Sequence, residues 1–410
     1  MTPVASRHST PREALYSRIN RHSNMHLGER SRLVGHPCVR RRWRLVALAT
    51  LAGLSACARN GDVEGDNVAI GLAIEKQLPE MLSVRQGTEL AISRLNDERP
   101  RNSRPFVLRL PPTSTTSAVQ IAIALREDPT VVGVVGHTDS NSSLEAAPIY
   151  EDAEHEGTGA LIAISPTSTS PALSGRSKWL FRVCPSDVAA SKQAARFALD
   201  SLHSRRAIIV YRNDLFGRGW TRTFADTYIA GGGSVLERNP HLVGMVEWDA
   251  YAGQVRQQSP DLVLFPGRAS DAANFLRALR ATGTSPIFLG SDAVSQLEAQ
   301  GKEFAGVYYT AFFLPTRVES KDGREFVAEF QRRYRMLPDQ RAALSYDATM
   351  LIGRAVFAAG ANRARVRDYI AGIGSTRPAV TGVTGRIAFD THHDPIDKAI
   401  VIARVGEGGS

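Results

Sequence analysis

Cysteine is scarce in this chain: Cys38, Cys57 and Cys184 are the three in 410 residues. A disulfide-stapled scaffold is thereby excluded, and an apolar core has to hold the fold. Long apolar runs are missing too, since "LVALATLAGLSA", ahead of Cys57, has 12 residues and falls short of a membrane-spanning helix. The common catalytic signatures G-x-S-x-G, Walker A and H-E-x-x-H do not occur, which leaves hydrolases and nucleotidases without a foothold and argues against an enzyme. Nor does the formal charge of +9 serve a nucleic acid. Residues 1–57 hold ten Arg, no Lys and two Glu, which is +8 of the total and leaves +1 for the remainder.

What is present begins with an export pattern. "RRRWR", Arg40 to Arg44, runs into the apolar stretch and ends in "LSAC". That order of basic, apolar and small residues is a secretion signal, and "LSAC" resembles the bacterial lipobox, which implies a lipid on Cys57. Residues 1–57 are therefore expected to be an N-terminal extension and lipoprotein signal. A polar linker over 58–66 follows and would let a folded body stand off a membrane. With Cys57 lipidated, Cys184 is left without a partner and is expected to pack in the core. The expected location is the cell envelope, periplasmic or extracytoplasmic, with the chain anchored by lipid.

With 43% hydrophobic and 22% charged residues, the body reads as an ordinary globular protein. Apolar runs of strand length, among them "VAIGLAI", "VVGVVG", "ALIAIS", "AIIVYR", "LVLFPG" and "PIFLG", alternate with segments of helical period. This predicts an α/β fold of parallel sheets covered by helices, doubly wound and in two Rossmann-like lobes. The end of the chain, "GRIAFD" to "KAIVIARV", reads as a final hairpin turning at "THHDP". The two histidines there are expected to be solvated, and no metal or cofactor is expected. "GGGS" at Gly231 to Ser234 is expected to cap a helix.

In open α/β sheets ligands bind beyond the carboxyl ends of the strands, so the residues after each apolar run carry the information. "HTDSNSS" follows "VVGVVG", "SPTSTS" follows "ALIAI", "RNDLFGRG" follows "AIIVY", "PGRAS" follows "LVLF" and "SDA" follows "PIFLG". A helix opening near Ser142 offers backbone donors to an anion, and Asp292 offers a charge to a cation. Ordinary capping explains each of these singly; their coincidence at several strand ends favours a ligand.

Taken in order, "LSVRQGTELAISRLND", "VVGVVGHTDSNSSLEAAPIYE", "AISPTSTSPAL", "LFRVCPSD", "YRNDLFGRGWTRTF", "DLVLFPGRASDAANFLRALRATG", "FLGSDA", "LSYDATMLIGRA" and "GVTGRIAFDTHHD" resemble the branched-chain amino acid-binding type of periplasmic binding protein over residues 66–405. The resemblance implies a type I fold with three chain crossings acting as a hinge, near Arg182 to Ser186, Phe312 to Thr316 and Val380 to Thr384. Lobe 1 would then comprise 67–183 and 316–380, and lobe 2 186–312 and 384–405. It also implies a monomer that closes on a small polar ligand (an amino acid, an amide or something peptide-like) and delivers it to the membrane permease of an ABC importer.

Carried over residue by residue, Ser140, Thr167 and Thr169 would hold the ligand carboxylate, with Thr138 and Asp139 at neighbouring wall positions. Phe216 would stack on the ligand and Asp292 would take its ammonium. Two departures stand out. The first loop, "GLAIEKQLPEM", lacks the Gly- and Pro-rich turn of many members, and Arg268 stands where amino acid binders often carry tyrosine. Arg268 could pair with an extra acid on the ligand or neutralise Asp292. An envelope lipoprotein of the same fold, acting as a regulator or sensor through protein partners, is the rival reading.

Overall fold

A computed structural model of the chain describes residues 61–74, 79–244 and 247–406. Cys57, the signal within 1–57, the first residues of the linker and part of the first loop lie outside the described residues. Strand β1 (Val68–Ala73), "VAIGLA", is buried along its whole length. A strand with no solvent face has to be covered on both sides, and that is what the unbroken apolar run encodes. It pairs in parallel with β2 (Phe106–Arg109) and β3 (Val131–Gly136), and the sheet continues through β4 (Ala163–Ser165) and β5 (Leu180–Arg182) in the order β2-β1-β3-β4-β5.

A second sheet repeats that plan. Strands β6 (Arg206–Arg212), β7 (Ser234–His241), β8 (Leu262–Phe265), β9 (Ile287–Gly290) and β10 (Tyr308–Ala311) pair in parallel in the order β7-β6-β8-β9-β10. The order reverses at β1/β3 in one sheet and at β6/β8 in the other, so each has its own switch point with a crevice at the strand ends. Helices follow most strands: α1 (Pro79–Glu98), α2 (Ala118–Glu127), α3 (Ser140–Glu151), α4 (Asp187–Asp200), α5 (Leu215–Ala230), α6 (Trp248–Gln258), α7 (Ala269–Ala281), α8 (Lys321–Tyr334), α9 (Gln340–Ala359) and α10 (Arg363–Ala371). Although α9 is late in the chain, it packs along α1, and Gly87 permits the contact: a Cβ there would lie 2.1 Å from the carbonyl oxygen of Ala342.

The expected α/β fold in two lobes is present, but the final hairpin is not. Instead β12 (Gly385–Ile387) turns back on β11 (Val380–Gly382), and β13 (Val401–Arg404) adds antiparallel to the edge of the second sheet beside β10. The reason is local. The buried Asp347 carboxylate of α9 accepts from the Val383 and Thr384 amides at 2.8 and 2.9 Å and from the Thr384 hydroxyl, which holds β11 and β12 against the first lobe. Residues 390–394 also stay there: Gly175 donates its amide to His392, and Asp394 meets Arg182. The chain's last passage therefore comes after Asp394 rather than at Val380 to Thr384, and Gln193 of α4 receives it by donating to the Ile400 carbonyl.

Candidate functional site

Four helix N-termini meet where the carboxyl ends of the two sheets face each other. Each is capped by a side chain or opened by the residue that ends the preceding turn. Asp139 caps α3 by accepting from the Asn141 amide at 3.0 Å, Asp214 caps α5 through Gly217 at 2.8 Å, and Asp339 caps α9 through Ala342 at 2.9 Å. Arg268 occupies the cap position of α7. Such ends carry partial positive charge and outward amides. Between them lies a cleft of about 310 Å3.

Thr138, Asp139, Ser140, Thr167, Phe216, Arg268 and Asp292 all line this cleft, so it gathers seven of the eight ligand-site residues expected from the sequence. Thr169 is the exception. Its side chain is fully buried and turned inward beside the Asp187 carboxyl, and its carbonyl accepts from the Asp187 amide at 2.8 Å. Although only two residues apart in "ISPTSTSP", Thr167 and Thr169 have different surroundings, the first lining the cleft and the second buried beside Asp187.

Most hydroxyls of that turn knit the lobe together. Ser165 and Ser168 donate to the His137 carbonyl at 2.5 and 3.1 Å, and Ser143 shares a 2.8 Å hydrogen bond with Ser168. The turn after β4 is thus bolted to the turn after β3. Thr167, which does face the cleft, donates to the Thr138 carbonyl at 2.8 Å. Cys184 packs as expected, fully buried with its thiol against the Ser168 carbonyl, and burial pushes that thiol's pKa up.

The charged groups are arranged across the gap. From lobe 1, Asp139 Oδ2 faces Arg268 Nη2 at 3.7 Å and Arg212 Nη1 at 3.8 Å, both from lobe 2. Arg268 therefore pairs with Asp139 rather than neutralising Asp292. Arg212 is braced from behind by Asp214, Nε to Oδ2 at 2.8 Å. A second tie between the lobes runs from the Leu215 amide to Asn141 Oδ1 at 3.3 Å.

Asp292 sits at the opposite wall, 6% exposed, with one carboxyl oxygen lacking a hydrogen bond among the described residues. Burial raises its pKa to about 7, against the lowering influence of Arg341 and of its own amide. Beneath it, Asp187 is held well above the carboxylate range, first by burial and then by the nearby Asp292. Gln340 clamps this wall: its Nε2 donates to the Asp292 carbonyl at 2.8 Å, and its Oε1 accepts from the Phe312 amide at 2.9 Å.

A larger groove of about 600 Å3 lies on the first lobe between α1, α8, α9 and the β11–β12 hairpin. It holds none of the expected residues, and exposed pairs such as Arg94–Glu98 and Arg332–Glu329 line its rim. The cleft at the strand ends is the candidate site. Among the described residues no His, Cys, Asp and Glu cluster could hold a metal ion, and no helix is long and apolar enough to cross a membrane.

Residues 79–410 match the family described as "Periplasmic binding protein". The chain belongs to that family. Relatives of this periplasmic binding protein include the leucine-specific-binding protein of Salmonella typhimurium, 27% identical over 162 residues, which are 39% of this chain and 42% of the relative. The amino acid binding protein of Pseudomonas aeruginosa is 27% identical over 60% of this chain and 65% of its own. Both alignments span less than two thirds of the relative.

Solved structures extend the likeness in fold. The substrate-binding protein LivJ from Streptococcus pneumoniae, in complex with isoleucine, superposes with a TM-score of 0.75 at 20% identity, covering 84% of this chain and 97% of its own. A substrate-binding protein from Desulfitobacterium hafniense in complex with leucine gives 0.70 at 25% identity over 83% and 98%. These proteins are binders and not enzymes.

Several lining residues of this periplasmic binding protein escaped the sequence reading: Met81, Asn141, Arg212, Phe312, Gln340 and Arg341. Arg212 and Asn141 stand within turns that the strand-end rule selected, and Phe312 at an expected chain crossing, but none of the three was singled out as a ligand-site residue. Gln340 and Arg341 had no such signal, because α9 enters the cleft from far along the chain.

Proposed function

We propose that this protein is an extracytoplasmic solute-binding protein that captures an amino acid or a similarly small polar solute between its lobes and presents it to the permease of an ABC importer. The observation that carries this reading is the convergence of Thr138, Ser140 and Thr167 from one lobe with Phe216, Arg268 and Asp292 from the other on a single cleft. Hydroxyls and the α3 N-terminus suit a carboxylate, and Asp292 suits an ammonium. Phe216 offers an aromatic face to the ligand's body. Closure about the three chain passages would bring the two sets of groups onto one ligand. The pattern of "RRRWR", an apolar run and "LSAC" supports lipid attachment at Cys57, which would hold a monomeric binding protein at a membrane surface.

A thermal-shift screen of the protein against amino acids, amides, short peptides and dicarboxylates tests the reading. A true ligand in roughly thousandfold excess over its dissociation constant adds about 4 kcal/mol of stability, which is a shift of several degrees. No shift with any compound would favour the regulatory lipoprotein instead.

A further inference from the structure

Gln340 is buried and reaches from one lobe into the other. It is the first residue of α9, whose start is fixed to the first lobe from two sides. One oxygen of the Asp339 carboxylate caps the helix through the Ala342 amide, and the other accepts from the Ser83 hydroxyl of α1 at 2.9 Å. From that anchorage the Gln340 amide meets residues that follow two neighbouring strands of the second sheet. Its Nε2 donates to the Asp292 carbonyl at 2.8 Å and to the Ser295 hydroxyl at 3.0 Å, and its Oε1 accepts from the Phe312 amide at 2.9 Å. Asp292 comes after β9 and Phe312 after β10, and both line the cleft.

A primary amide carries two N–H donors, and both are engaged here. Gln340 lines the cleft too, yet it has no donor left for a ligand carboxylate, so its influence on the ligand has to pass through the groups it holds. The carboxylate of Asp292 leans on that residue's own amide, so its direction follows the orientation of its backbone. A hydrogen bond to the carbonyl of the same residue limits how that backbone can turn.

Building on the reading of this cleft as a solute site in which Asp292 takes an ammonium, we infer that Gln340 is a positioning residue: from the first lobe it holds the Asp292 and Phe312 backbones and so aims the carboxylate that selects for the ligand's amino group. Recognition of the ammonium then depends on both lobes, although the carboxylate belongs to one. Released from Gln340, Asp292 keeps its carboxyl but loses its direction, and hydrogen bonds weaken steeply with misalignment.

Calorimetric titration of the full chain with L-leucine, L-phenylalanine and L-glutamate, each beside the acid that lacks its amino group (isocaproate, hydrocinnamate and glutarate), tests this. The parent chain is expected to prefer the amino acid at least tenfold in whichever pair fits. Gln340→Met has similar length but no amide, and leaves two buried backbone groups without their partner, so a fall in stability alone decides nothing. The deciding quantity is the preference within a pair, which should drop to within about threefold while affinity for the deaminated acid changes by less than about threefold. Gln340→Asn, one methylene shorter and out of reach of the Asp292 carbonyl, should do the same and serves if the methionine variant does not fold. In an Asp292→Asn background neither change should alter the preference further. Weakening of both members of a pair alike would mean direct contact or general loosening and would overturn the positioning role, as would a preference that survives both variants; either result leaves the solute-binding reading standing. A parent chain with no preference for the amino acid would overturn the ammonium role of Asp292 and the inference with it, again leaving a solute site. Binding by none of the six would overturn both.

Discussion

Arg182 and Asp394 meet in a two-bond fork, Nε to Oδ1 at 2.7 Å and Nη2 to Oδ2 at 2.6 Å, although 212 residues separate them in the chain. The guanidinium also donates to the Ser170 carbonyl at 2.9 Å and to the Ser174 hydroxyl at 2.8 Å. Arg182 ends β5, where the chain leaves the first sheet, and Asp394 precedes its last passage. The fork thus ties two of the chain passages to the "ISPTSTSP" turn.

Asp394→Ala removes the carboxylate and leaves a guanidinium that is 3% exposed without its counter-charge. Losing one partner of a buried pair costs about 3–5 kcal/mol, far more than losing a surface pair. Urea unfolding of the variant is expected to show a loss in that range, whereas Arg332→Ala, at an exposed pair, should change stability by less than about 1 kcal/mol. Equal effects at the two sites would contradict the structural role given to the fork.

Asp292 gives the protein a pH dependence of definite sign. Its folded-state pKa of about 7 lies above the ordinary 3.8, so between those values the folded state holds a proton that the unfolded chain has released. Its contribution to stability is therefore full below pH ~4 and is lost as the pH rises to about 7, by an amount on the order of 4 kcal/mol at most. Ligand binding runs the other way, because an ammonium prefers the ionised carboxylate. Affinity for an amino acid is expected to rise up to about tenfold from pH 6 to 8 and to stay flat in Asp292→Asn. Calorimetry across that range, with the variant as reference, checks both the direction and the residue.

Gly87 fixes how closely α1 can lie on α9. Gly87→Ala would set a Cβ 2.1 Å from the Ala342 carbonyl, a rigid backbone atom at the start of the helix that brings Gln340 and Arg341 to the cleft. The two helices would have to part, and overpacking of this kind costs about 1–3 kcal/mol. The expected result is lower stability together with weaker ligand binding. Gly253→Ala, in α6 with nothing within 4 Å of the added carbon, is the matched control and should be neutral or slightly stabilising. A stable Gly87→Ala with unchanged binding would mean that the α9 terminus does not depend on this contact.

Much of this was legible in the chain because strands buried on both faces leave unbroken apolar runs, as β1 and β3 do. β7, "SVLERNPH", was not legible: it is an edge strand whose residues are mostly half-buried or exposed, and its sequence carries neither an apolar run nor a strict alternation. β5 has only three residues, too short for a period. The hairpin error has a different origin, since the partners of β12 and β13 are decided by Asp347 and by the free edge of β10, both distant in sequence. Within the site, the strand-end rule found the residues that follow strands but could not tell a hydroxyl facing the cleft from one facing the core. That distinction depends on side-chain direction within an irregular turn, where no periodicity exists to read it from.

Thr167 and Thr169 put that distinction to a test. Thr167 faces the cleft and spans two turns through the Thr138 carbonyl, whereas Thr169 is sealed beneath it beside Asp187. Thr167→Val preserves shape and removes the hydroxyl, whose one proton has to turn from the Thr138 carbonyl to a ligand carboxylate, so binding loses the difference between a charge-assisted and a neutral hydrogen bond, about 1 kcal/mol. Binding should weaken by roughly fivefold, with the loss of stability held to about 1 kcal/mol. Thr169→Val should divide the other way. The buried Asp187 carboxyl would lose the lowering influence of the Thr169 hydroxyl and be held in its neutral form still more firmly. The loss of stability with rising pH is then expected to continue to higher pH than in the parent chain, while affinity at a fixed pH changes by less than about threefold. Affinity lost equally in both variants would return Thr169 to the ligand's own contacts and contradict the side-chain direction found for it.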